Sequence, residues 1–128
     1  MPRSPAKPKS DKRIKAHRGG HRGEALAALF LQLKLYRIRN RRYRTPLGEI
    51  DIVAERFGTL VFVEVKARSK SSLEAETLEG INYSRITRAA ELWFARHPRE
   101  VGKDVRFDVI FLAPRRWPRH LINAFDGG

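Results

Sequence analysis

No cysteine occurs among the 128 residues, which excludes disulfides, thiolate zinc sites and cysteine nucleophiles and agrees with a reducing cytoplasm. The four histidines, His17, His21, His97 and His120, lack the spacing of a metal-ligand set and read as surface or packing residues. No apolar run approaches the ~20 residues of a membrane span, and the N-terminus lacks the hydrophobic core of a signal peptide. A soluble, unexported, cytoplasmic protein without a membrane partner is therefore expected. Acids are scarce too: 14 stand against 27 Lys and Arg, giving +13 and a pI of about 11.0. That excess suits a polyanionic partner such as nucleic acid and disfavours a neutral-metabolite specialist.

Part of the charge is segregated. Residues 1–20 hold seven basic residues, one acid, three prolines and a closing Gly19-Gly20, and read as a disordered basic arm. The arm supplies +6 of the +13, so the other 108 residues keep +7. With 41% hydrophobic residues in the chain, residues 21–126 suffice for one domain with one core.

One stretch places acids inside strongly strand-forming sequence: Gly48 to Lys66, GEIDIVAERFGTLVFVEVK. Ile50, Ile52 and Ala54 alternate with Glu49, Asp51, Val53 and Glu55, and Leu60 to Val65 is rich in Val and Phe, so a hairpin around Arg56-Phe57-Gly58-Thr59 is predicted. A symmetric loop sets Asp51 opposite Glu64 and Glu49 opposite Lys66, with facing Cβ atoms roughly 4.5–5.5 Å apart. Like charges so placed destabilise a sheet unless a cation, a shared proton or an ammonium compensates. Mg²⁺ takes oxygen ligands from one or two carboxylates beside a phosphate, and a nearby lysine can orient the attacking water. D, a gap, then ExK is thus a candidate phosphodiester-cutting site. The alternative is a solvated strand edge with a Glu49–Lys66 ion pair.

Around this hairpin the chain reads as support. Gly23 to Leu35 puts Leu26, Leu29, Phe30 and Leu33 at i, i+3, i+4 and i+7, the apolar face of an amphipathic helix. Glu24 in its first turn either complements the helix N-terminus or reaches toward Asp51 and Glu64. Tyr36 to Pro46 starts as a short strand and becomes a basic loop, either merely solvated or one in which Arg37, Arg39, Arg41, Arg42 and Arg44 match phosphates and Tyr36 and Tyr43 can stack on bases. Ala67 to Gly80 reads as a mobile loop. Tyr83 to His97 is a second helix with Ile86, Ala89, Ala90, Trp93 and Phe94 on one side and Arg85 and Arg88 facing phosphate or water. Val105 to Leu112 is a strand buried on both faces, whose Asp108 accepts hydrogen bonds or lies near the site. Arg115 to Gly128, with Trp117, Leu121, Ile122 and Phe125, is a short edge strand or a docked segment. The order predicts an α/β domain: a central mixed sheet flanked by helices.

Gly23-Glu24-Ala25, Arg39-Asn40-Arg41, Gly48 to Ala54, Leu60 to Arg68 and Arg106 to Ile110 together resemble the YraN family, also called UPF0102. The resemblance covers roughly residues 21–126. It implies a restriction-endonuclease-like core of the PD-(D/E)xK superfamily, similar to archaeal Holliday junction resolvases. It further implies Asp51, Glu64 and Lys66 as the D…ExK set and Glu24 as the helix acid that resolvase-type members add. On that basis Glu24, Asp51 and Glu64 are expected to hold Mg²⁺ or Mn²⁺. Arg39, Arg41, Arg42, Arg44, Arg68, Arg85 and Arg88 are expected to bind nucleic acid. Family members commonly carry a lysine near the start of the second helix, where this chain has Asn82 to Ser84; Arg85 is the candidate substitute. The implied activity is metal-dependent hydrolysis of DNA, branched or structured, by a homodimer. Two readings stay beside it: an inactive nucleic-acid-binding module on a nuclease scaffold, and an interaction protein with a basic surface.

Overall fold

The computed structural model describes residues 23–67 and 78–126. The basic arm, His17, His21, Arg68 and most of the predicted loop Ala67 to Gly80 lie outside the described residues.

A helix over residues 23–33 (α1) leads into strands β1 (Arg37–Thr45), β2 (Gly48–Arg56) and β3 (Thr59–Ala67). Helix α2 (Tyr83–Arg96) and a 3₁₀ turn (Pro98–Glu100) follow, then β4 (Asp104–Leu112) and β5 (Arg119–Phe125). The sheet order is β1-β2-β3-β4-β5, antiparallel except between β3 and β4. A parallel neighbour needs a crossover, and α2 lies in that crossover. This mixed five-stranded sheet between two helices is a restriction-endonuclease-like α/β core.

Strand β3 sits in the middle, and Leu60, Val61, Phe62 and Val63 are each fully buried. Its alternate residues feed two cores. Leu60 and Phe62 join Ile86, Ala89, Ala90 and Trp93 of α2, with Phe107, Val109 and Phe111 of β4. Val61 and Val63 join Ala27, Ala28 and Leu31 of α1, with Tyr36 and Ile110. The indole of Trp93 meets Phe62 edge-on at 5.8 Å and gives its N–H to Asn40 Oδ1 at 2.8 Å, so the largest core side chain leaves no polar atom unpaired.

The predicted hairpin register holds from Ile52↔Val63 to Arg56↔Thr59. Phe57 (φ 50°) and Gly58 (φ 80°) form its two-residue turn, both at the positive φ that matches strand twist. At the other end of β2, Gly48 touches α2: a Cβ there would lie 2.2 Å from the carbonyl oxygen of Arg85. Only a glycine lets the strand meet the helix backbone this closely.

Three expectations are corrected. The helix over 23–33 forms, but Leu26, Leu29 and Leu33 are 57%, 53% and 72% exposed. Glu24, Ala27, Ala28 and Leu31 face the sheet instead, because small residues let α1 approach β2 and β3 closely. Both sets have helical spacing, and only the shape of the sheet chooses between them. Second, the basic loop after Tyr36 is a nine-residue edge strand, broken by a bulge between Ile38 and Asn40. Tyr36 is buried and Tyr43 packs on the α2-side core, so neither is a platform for bases. Third, Ile50 packs on the α2 side while Ile52 and Ala54 pack on the α1 side, so the alternation of β2 breaks at Asp51.

Asp108 is fully buried and accepts hydrogen bonds from Arg106 Nε (2.9 Å), from the N–H of Asn123 (2.9 Å) and from the ring of His120 (2.6 Å). The bonding role is thus the one it fills, and β5 is the edge strand that those bonds hold.

Gly48→Ala is expected to destabilise the fold by about 2 kcal/mol or more, since helix backbone must move. Urea denaturation measures this, and a variant as stable as the parent would refute the close approach.

Candidate active site

The site lies where the β2–β3 ladder ends. Beyond Ile52↔Val63 the strands part, and the Asp51 side chain takes over from the backbone: its Oδ2 accepts the N–H of Val65 at 2.7 Å. Continuing the register brings Glu64 to Asp51, and the two carboxyls share a hydrogen bond. Lys66, two residues on and therefore on the same face, sets its Nζ 3.2 Å from Glu64 Oε2. Lys66 thus pairs with Glu64 and not with Glu49.

Burial dominates the electrostatics. It pushes the Glu64 carboxyl from an ordinary 4.5 up to about 8, helped by the charge and hydrogen bond of Asp51 and opposed by Lys66. Burial also raises Asp51, against the N–H of Val65, which favours its charged form. Near neutral pH Glu64 thus keeps its proton beside Asp51.

Glu49, Asp51, Glu64, Asn82, Arg85 and Ile86 line a cleft of about 240 Å³ beside the N-terminus of α2. Asn82 caps that helix, its Oδ1 accepting the N–H of Arg85 at 3.2 Å. A larger groove of about 340 Å³ runs over Phe94, Phe107 and Phe125 and contains none of the candidate residues. The smaller cleft carries the chemistry, because size without converging polar groups does not make a site.

Glu24 stands apart from this cleft. It is 3% exposed on α1, with Oε2 bonded to Arg41 Nε and Oε1 3.4 Å from Arg42 Nε, too far off-line for a hydrogen bond. Arg41 pairs with Ile52 across the sheet, so this ion pair is anchored one residue from Asp51. Among the described residues, no three His, Cys, Asp or Glu side chains are gathered closely enough to hold a metal ion.

The other arginines divide by partner. Arg39 is spent inside the protein, bonded to Glu55 at 2.8 Å and to Glu100 at 3.1 Å; Lys103 closes that network. Arg44 lies directly across from Glu49 on β1, Arg85 lines the cleft, and Arg88 is exposed one turn further along α2. Sequence reasoning did not assign Glu49 and Asn82 to the cleft. The Asn82-x-x-Arg85 spacing of a helix cap was the available signal for Asn82.

Because folded Glu64 keeps a proton that the unfolded chain releases above 4.5, stability from this group falls as pH rises toward about 8. Glu64→Gln removes that cost. In EDTA, the stability deficit of the wild type relative to Glu64→Gln is expected to grow by about 1–3 kcal/mol between pH 5.5 and 8.5. A deficit independent of pH in denaturant titrations would contradict the shared proton.

The profile described as "Uncharacterised protein family UPF0102" matches residues 23–112. A UPF0102 protein of Rhodopseudomonas palustris (strain BisA53) is 46% identical over 123 residues, covering 96% of this chain and 95% of the relative. One from Methylorubrum extorquens (strain PA1) is also 46% identical, over 97% and 96% of the two chains. One from Parvibaculum lavamentivorans reaches 47% over 88% of this chain and 84% of its own. The matched stretch runs from the start of α1 through Asp51, Glu64 and Lys66 to the end of β4, and the chain belongs to the UPF0102 family.

Proposed function

We propose that this protein is a metal-dependent nuclease that hydrolyses phosphodiester bonds in DNA, with branched or structured DNA as its substrate. The observation that carries this reading is the Asp51–Glu64 carboxyl pair with Lys66 at its side, in a cleft lined by Arg85. Two carboxyls forced to share a proton are a poor structural contact and a good cation site: a divalent ion replaces the proton. The donors are all oxygen, which fits Mg²⁺ or Mn²⁺ and not a softer metal. Glu24 is the third acid of the proposal; it lies on α1 outside the cleft lining, with its Oε1 buried and without a hydrogen-bond partner.

A bound divalent ion would polarise a phosphoryl oxygen and acidify a water. The chain's own groups do the rest. The N–H of Val65 fixes Asp51, and Lys66 Nζ, close to Glu64, orients the attacking water and answers charge developing on the phosphate. Arg44, Arg85 and Arg88 hold the flanking phosphates, while Arg39, consumed by Glu55 and Glu100, does not.

A homodimer belongs to the same reading, because symmetric cutting of two strands takes two clefts. The exposed Leu26, Leu29 and Leu33 stripe offers a self-complementary seam for a two-fold contact. Leu29→Asp is expected to halve the mass seen by light scattering, and an unchanged mass would remove α1 from the interface.

The second reading, a binding module without turnover, is favoured by one feature: both Arg41 and Arg42 approach the carboxylate of Glu24. Cleavage separates the two. Labelled single-stranded, duplex, flap and four-way-junction DNA is incubated with wild type and Glu64→Ala, with Mg²⁺, Mn²⁺ or EDTA. Products that require metal and fall at least 100-fold in the folded variant are expected. Equal cleavage by the variant would sink the assignment, and binding without products under every metal would leave the binding module.

A further inference from the structure

Trp117 is 85% exposed, whereas Trp93, the other tryptophan, is fully buried. An exposed indole face is open to stacking by a planar ring. Its loop, Ala113-Pro114-Arg115-Arg116-Trp117-Pro118, joins β4 to β5. The N–H of Arg116 bonds the carbonyl of Ala113 at 3.4 Å, Arg115 sits at φ 60°, and Pro118 disfavours a helical backbone at Trp117. These features narrow the freedom that the loop has to lose on binding.

Position and charge narrow the partner. Lys66 pairs with Phe111, and Phe111 pairs with Arg119, so one row across β3, β4 and β5 joins the candidate site to the foot of this loop. Two strand spacings amount to about 10 Å. Residues 113–123 include no acid, and the guanidinium groups of Arg115 and Arg116 have no partner among the described residues. A flat aromatic face beside the cations of Arg115 and Arg116 suits a polyanion that carries aromatic rings.

We infer that the loop over residues 113–118 is a binding site for an unstacked base in a nucleic-acid strand, with Trp117 stacking on the base and Arg115 and Arg116 holding adjacent phosphates. This rests on the nucleic-acid part of the function proposed above and deepens it. In a duplex the base faces are covered by neighbours, so the loop selects strands with unpaired nucleotides. Such nucleotides occur in single strands, flaps and branch points.

The test is binding by the full chain in EDTA, where no turnover is needed. Ligands are oligothymidylate and a blunt-ended duplex of equal phosphate number; the variants are Trp117→Ala, Trp117→Phe, and Arg115→Gln with Arg116→Gln. Trp117→Ala is expected to weaken oligothymidylate binding about 5- to 100-fold while duplex binding changes less than twofold. Trp117→Phe should retain most of the affinity, and the double arginine variant should weaken both ligands. Oligothymidylate should quench indole emission in the wild type and not in Trp117→Ala, where only buried Trp93 remains. Equal losses on both ligands, no loss, absent quenching, or no oligothymidylate binding by the wild type would each overturn the inference. Because no cleavage is scored, failure of the nuclease reading and failure of the stacking loop are seen separately.

Discussion

Strand register at the β2–β3 hairpin is the constraint on which the candidate site depends. Side chains on a strand alternate faces, so a slip of one residue would send Asp51 and Glu64 to opposite sides of the sheet. The slip is opposed at three points. Phe57 and Gly58 fix the turn, the burial of Leu60 to Val63 on both faces makes either shift costly, and Asp51 clasps the N–H of Val65 where the ladder ends. The last contact is also the first element of the site. One carboxylate oxygen both terminates the pairing and holds its own group beside Glu64.

Fully buried Asp108 and half-buried Glu64 show what distinguishes a structural carboxylate from a chemical one. Burial acts to raise both Asp108 and Glu64. Around Asp108 it is outweighed by His120, Arg106 and the N–H of Asn123, which together hold the group below its ordinary range. Glu64 faces another carboxyl, with Lys66 alone in opposition, and rises to about 8. The first arrangement pins β5 to the sheet. The second stores an unfavourable contact that a cation would relieve, which is the character expected of a functional group and not of a fold-stabilising one.

The positive charge is likewise divided by geometry. Arg39, carried at the bulge of β1, binds Glu55 of β2 and Glu100 beyond α2, and together with Lys103 holds Glu100 down to about 2. Arg106 is bonded to Asp108 and the Tyr36 hydroxyl. Among the cations outside this internal use, Arg44 and Arg85 near the cleft and Arg115 and Arg116 on the loop beyond β4 lie around one end of the sheet. A phosphate chain crossing that end would meet cations on both sides of the acidic pair.

The residues alone determined the hairpin and its register, the span of α2 over Tyr83 to His97, the strand through Asp108, and the grouping of Asp51, Glu64 and Lys66. All of these follow from spacing along one or two neighbouring segments. Tertiary structure decided which face of α1 turns inward, because Leu26, Leu29 and Leu33 compete with Ala27, Ala28 and Leu31 on equal helical spacing and only the facing strands discriminate by shape. It also turned the arginine-rich stretch after Tyr36 into an edge strand, since pairing with β2 outweighs the polarity of its side chains. The partners of Arg39, Arg41 and Glu24 were illegible for the same reason. An ion pair joins segments that the chain brings together only once it has folded.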